Sequence, residues 1–114
     1  MSRFALIVAR IKPGSEEAVA GIFQESDAGE LPRLGRVRHR SLFRMGDDLY
    51  LHLVETDGEA DAAVSGIRDH PLFADISRRL APHIVPYDPA TWRSPRDAFA
   101  VEFYSWDAPP AGDR

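Results

Sequence analysis

Apolar residues gather in short runs whose spacing changes along the chain. The run Phe4-Ala-Leu-Ile-Val-Ala9, within Arg3–Ile11, is unbroken and partly β-branched, the pattern of a central strand. Pro13-Gly14-Ser15 breaks it, and Ser15 followed by Glu16 and Glu17 is a helix start with an N-cap and a favourable first-turn charge. From Glu16 to Ser26, Ala18, Val19, Ile22 and Phe23 fall on one helical stripe, and Ala28-Gly29 ends it. Arg36–Met45 reads as a strand, Gly46-Asp47-Asp48 as a tight turn, and Leu49–Thr56 as the antiparallel return strand. That return strand is apolar on both sides, with Leu49, Leu51 and Leu53 alternating against Tyr50, His52 and Val54.

A second helical region spans Glu59–Arg68 and breaks at His70-Pro71. It resumes with His70 as cap, Pro71 at the first position, and Leu72, Phe73, Ile76 and Leu80 as the apolar stripe. Pro82 stops it, and a connection from Pro86 to Pro95 leads to Ala98–Trp106, read as the last strand. The order β-α-β-β-α-β predicts an α+β, ferredoxin-like subunit: a four-stranded antiparallel sheet with both helices on one face. The other face is then bare. Phe4, Leu6, Val8, Tyr50 and Val54, with Phe99, Val101 and Phe103, supply more apolar strand surface than two helices cover. A second subunit, a ligand, or both are expected to cover the excess.

The 114 residues fit one domain, placed at 1–106, with a Pro/Gly-containing tail at 107–114 expected to fray. No apolar run is long enough for a membrane span, and no signal-peptide pattern opens the chain, so a soluble cytoplasmic protein is expected. The absence of cysteine excludes disulfides, thiol nucleophiles and Cys-ligated metals. A net charge of −4 argues against nucleic acid. Against it stand Arg36, Arg38, Arg40 and Arg44, which ideal strand alternation puts on one side. No nucleic-acid motif surrounds them, and a solvated edge face is their plain reading.

His52 is the most informative polar residue. It lies mid-strand between leucines, either a satisfied core histidine or a general acid or base. The hairpin turn brings Arg40 within a few residues of His52–Val54, and an arginine turned inward there needs an anionic or carbonyl-rich partner. Asp27 closes the first helix, where an acid opposes the macrodipole; turn formation and function both account for it. His39 and His52 lack metal-ligand spacing, and neither a Gly-rich phosphate loop nor a GxSxG elbow occurs, so no metal or nucleotide cofactor is expected.

Five blocks in order, Asp27-x-x-Glu30-Leu31-Pro32, Arg40-Ser-Leu-Phe-Arg44, Asp48-Leu-Tyr-Leu-His-Leu-Val-Glu55, His70-Pro-Leu-Phe73 and Phe103-Tyr-Ser-Trp106, resemble the tetracenomycin-type aromatic polyketide cyclases. The resemblance runs from about Phe4 to Trp106. It implies a ferredoxin-like homodimer of the dimeric α/β-barrel type that closes and dehydrates a ring of a polyketide, free or carrier-bound, without a cofactor. Catalytic positions carry over to His52, Arg40 and Asp27; Ser26, Tyr50 and Trp106 are taken as substrate-binding. Ser26 occupies a position that is often histidine in the family, and serine cannot transfer a proton as imidazole does at neutral pH. Asp27 or His52 is expected as base, His52 as acid, and Arg40 as oxyanion donor. The competing expectations are a cofactor-independent monooxygenase and a non-catalytic subunit that shapes the polyketide in a synthase complex.

Overall fold

The structure, a computed structural model, describes residues 3–93 and 95–110. The elements are β1 (Phe4–Ile11), α1 (Glu16–Asp27), α2 (Leu31–Leu34), β2 (Val37–Met45), β3 (Leu49–Thr56), α3 (Ala60–Ile67), α4 (Pro71–Leu80) and β4 (Ile84–Pro86), followed by a 3-10 turn at Pro95–Ala98. Strand order is β2-β3-β1-β4 with every pair antiparallel, the ferredoxin-like arrangement the sequence pattern predicts. α2 is a further short helix that the sequence reading passed over. No helix among the described residues is long and apolar enough to cross a membrane.

β1 pairs with β3 so that Ala5, Ile7 and Ala9 lie opposite Val54, His52 and Tyr50. These side chains face the helices. Ala9, Ile11 and Tyr50 pack against Val19, Ile22 and Phe23 of α1, Leu31 of α2 and Ile76 of α4. A smaller cluster joins Ala5 and Val54 to Ala60 of α3. Small residues on β1 where it meets Tyr50 and Val54 let the helix layer sit close to the sheet.

Two expected placements change. Tyr50 and Val54 belong to the helix-covered face, because the period of two fixes them on His52's side. The bare face instead carries Leu6, Val8, Leu51 and Leu53, with Phe43 and Met45 of β2 exposed. The arginines also divide. The β2–β3 register slips between Val37 and His39, which takes Arg38 out of alternation and lets it pair with Asp57 at 3.1 Å. Arg36 stands before β2 with φ of +56°. Only Arg40 and Arg44 remain in phase on the helix side, and each reaches α1, at Asp27 and Glu16.

The fourth strand is not Ala98–Trp106. It is Ile84–Pro86, which pairs with Ala9–Ile11 directly after α4. β1 is longer than this partner, and the free length of its edge takes Phe99 in one bridge to Ile7, with Ala100 N–H donating to Leu6 C=O at 2.8 Å. Beyond that point the chain makes no strand among the described residues, and Val101, Phe103, Tyr104 and Trp106 are exposed. Arg3 holds the arm near its end through Asp107 at 2.9 Å. The tail expected at 107–114 lies outside the described residues from 111 onward.

The helix caps follow the sequence in part. His70 caps α4 as expected, its Nδ1 accepting from Leu72 N–H at 3.1 Å, with Pro71 at the first position. Ser15 occupies the N-cap position of α1 without a side-chain cap bond; its hydroxyl hydrogen-bonds with His83 Nδ1 at 2.9 Å instead. That contact ties the start of α1 to the loop before β4. Gly46 turns the β2–β3 hairpin with φ of +62°, a conformation an L side chain resists.

Candidate active site

Hairpin register builds the first half of the site. Arg40 lies opposite Val54 and Leu42 opposite His52, so Arg40 and His52 are diagonal neighbours on the helix-facing side of the β2–β3 pair. α1 builds the second half by ending above them at Asp27. Asp27, Arg40 and His52 meet as one cluster. Arg40 Nε donates to both Asp27 carboxylate oxygens at 3.2 and 3.0 Å, and Nη2 donates to Oδ1 at 2.9 Å. Arg40 Nη1 lies 2.8 Å from His52 Nε2. A guanidinium only donates, so His52 Nε2 accepts and the neutral ring carries its proton on Nδ1.

The Arg40 side chain is 14% exposed and Asp27 39%, so the ion pair closes the outer end of the cluster while the imidazole lies behind it. An inward arginine on a covered face needs an anion, and Asp27 is that anion. The unfavourable position of an acid at a helix C-terminus is offset by this cross-layer pairing. Phe23 completes the enclosure. Its ring lies 4.8 Å from Arg40 Cζ and meets the His52 ring edge-on, with centroids 4.9 Å apart. The sequence reading placed Phe23 in the core stripe of α1 and missed this contact; its position one turn before Asp27 was the available signal.

Burial drives the His52 pKa down from 6.5 to about 3, and the Arg40 charge pushes it the same way. His52 is a neutral imidazole near pH 7. It can accept a proton, and it becomes an acid only after it has done so. Burial raises the Tyr50 phenol, so Tyr50 is neutral as well. Its ring lies edge-on to His52 at 6.2 Å, which makes it a wall of the site.

The other positions taken from the sequence are not gathered here. Ser26, next to Asp27, lines a cleft of about 170 Å³ between α1, α2 and α4, with Leu31, Leu72 and Ile76 among its walls. Trp106 stands 69% exposed on the C-terminal arm, and none of the contacts described at the cluster involves it. His39 lies opposite Glu55, on the sheet face away from His52, and hydrogen-bonds with Ser41 Oγ at 2.7 Å. Among the described residues no group of three His, Cys, Asp or Glu side chains could hold a metal ion.

Comparison with known proteins gives concordant results. Residues 3–107 match the model of a family described as polyketide synthesis cyclase. Polyketide synthase CurG of Streptomyces cyaneus is 48% identical over 103 residues, spanning 90% of this chain and 95% of that protein. Tetracenomycin F2 cyclase of Streptomyces glaucescens is 41% identical over 109 residues, spanning 96% and 98%. A solved structure of that enzyme, described as a type-II polyketide cyclase, superposes with a TM-score of 0.84 at 42% identity over 93% of this chain and 98% of that one.

The electrostatics of His52 predict how stability depends on pH. Its pKa is lower in the fold than in the unfolded chain, so the unfolded chain binds more protons between about pH 6.5 and about pH 3. The stability associated with the neutral ring is therefore complete above that window and is lost as pH falls through it. Urea midpoints followed from pH 7 to pH 4 should fall more steeply in the wild type than in His52→Gln. Parallel slopes would show that the ring is not held neutral.

Proposed function

The chain belongs to the polyketide synthesis cyclase family, and from that premise we propose that Asp27, Arg40 and His52 carry out an aldol-type ring closure and dehydration on an aromatic polyketide intermediate. The observation that carries this reading is the Arg40 guanidinium, held between a carboxylate and a neutral imidazole on the covered side of the sheet. Three of its five N–H groups are taken by Asp27 and His52, which leaves donors for a substrate oxygen.

The chemistry follows from that arrangement. A methylene between two carbonyls is already acidic, and its proton leaves more readily when the enolate oxygen is stabilised as charge develops. A substrate oxygen that takes over Arg40 Nη1 frees His52 Nε2. The imidazole then removes the methylene proton, and the enolate carbon attacks a second carbonyl of the same chain. The new alkoxide takes the proton back from Nε2, giving a neutral aldol. Loss of a second methylene proton to the imidazole and its return to the departing hydroxyl releases water. His52 thus acts as base before it acts as acid, the order its neutral resting state requires. Asp27 keeps the guanidinium oriented and balances its charge. Holding the flexible chain folded supplies much of the acceleration, up to about 7–11 kcal/mol in well-oriented systems.

The active assembly in this reading is a homodimer. The sheet face opposite the helices carries Leu6, Val8, Leu51 and Leu53, and the arm beyond Ala100 exposes Val101, Phe103, Tyr104 and Trp106. Apolar surface of this extent is characteristic of a subunit interface. A second copy supplies sheet surface of the same chemistry and a second arm. Trp106, which takes part in none of the contacts described at its own cluster, enters a substrate pocket in this reading only as part of that assembly.

Two outcomes test the proposal. In a reconstituted ring-closing assay, His52→Gln and Arg40→Lys should each lower the rate by about 10²-fold while circular dichroism stays unchanged; full activity in both variants would leave substrate positioning as the sole source of rate. In sedimentation equilibrium the wild type should have about twice the 12.7 kDa chain mass and Leu51→Arg the mass of one chain. A wild type that stays monomeric at tens of micromolar would refute the dimer.

A further inference from the structure

We propose that Phe23 is the positioning residue that holds the Arg40 guanidinium in place. The inference rests on the reading of Asp27, Arg40 and His52 as the ring-closing cluster and adds what keeps that cluster in register. Phe23 and Asp27 stand four residues apart on α1 and so share one face of the helix. One helix face therefore supplies both a ring and a carboxylate to the same guanidinium. Asp27 takes its Nε and Nη2 side, and His52 takes Nη1. Phe23 lies within cation–π distance at 4.8 Å from Cζ.

These contacts constrain different motions. The carboxylate and the imidazole fix the guanidinium within its own plane but leave it free to tilt about the line joining them. A ring in cation–π contact opposes that tilt. Phe23 is also 6% exposed, so the attraction acts in a water-poor setting where it is strongest. The same ring meets the His52 imidazole edge-on at 4.9 Å and 66°, which braces the acceptor as well as the donor. A leucine at position 23 would fill a similar space in the core and keep the helix, but it would offer the cation no negative π face. The aromatic character of the residue is thus what the inference concerns.

The test uses the full chain with Phe23 replaced by 4-fluoro-, 3,5-difluoro- and 3,4,5-trifluorophenylalanine. These rings nearly keep the size of phenylalanine while draining charge from the face. Exchange of the Arg40 Nε–H with water is followed by ¹⁵N NMR, and kcat and KM are measured in the ring-closing assay. Nε–H exchange should accelerate stepwise along the series, and kcat should fall by up to about tenfold with little change in KM, the scale of a desolvated cation–π contact. Phe23→Leu should behave like the trifluoro ring or worse. Exchange that stays level along the series would overturn the proposal and make Phe23 a space-filling core residue. Exchange that rises while kcat holds would support the grip on Arg40 and overturn instead the catalytic reading of that arginine.

Discussion

A guanidinium held inside the boundary between helices and sheet is the constraint on which the rest of this structure turns. Arg40 is a permanent charge at a mostly buried position, and such a charge is tolerated only with an opposite charge and satisfied donors. Asp27 meets the first demand from the end of α1, and His52 takes a further donor from β3. The end of α1 and both strands of the β2–β3 hairpin are thereby fixed against one another at one point. The neutral state of His52 follows from the same arrangement, since burial and the neighbouring cation both oppose a second positive charge.

The sheet has two faces with two tasks. Its helix-covered face combines a core around Tyr50, Val19 and Phe23 with the polar cluster at the β2 side. Its open face is leucine-rich and carries no described helix. Asp27 at the end of α1 meets Arg40 and His52 of the sheet, so the three-residue constellation is built within a single chain. The apolar surface left over lies on that open face and on the arm, where Val101, Phe103, Tyr104 and Trp106 are exposed. The short β4 belongs to this division, because it leaves much of the β1 edge to Phe99 and Ala100 and sends the residues after them away from the sheet.

Much of this was legible in the chain. The β2–β3 hairpin turn places Arg40 within a few residues of His52–Val54, and the register sets it opposite Val54. Pro71 and His70 marked the start of α4, and the stripe of α1 marked its buried side. The errors have physical causes. β4 is three residues long and lies between Pro82 and the proline-rich connection, while Ala98–Trp106 has strand composition but among the described residues meets β1 only at Phe99 and Ala100. Alternation places residues on opposite faces without saying which face the helices cover, and so it leaves the side of Tyr50 and Val54 open. A bulge beside Arg38 broke the apparent row of arginines, and no residue in Arg36–Arg40 announces it. The sequence points to each member of the cluster singly, but not to its internal geometry. Nothing in the spacing shows that Arg40 caps the very nitrogen His52 would use as a base.

If Asp27, Arg40 and His52 act as one unit, removing any member disables the others. The decisive measurement is a double-variant cycle on the ring-closing rate, comparing Arg40→Lys, His52→Gln and the combined variant under saturating substrate. Groups that work as a unit are strongly non-additive, so the combined variant should be no slower than the slower of the two singles. Two losses that multiply would show that the arginine and the histidine act independently, and the account built on their contact would fail.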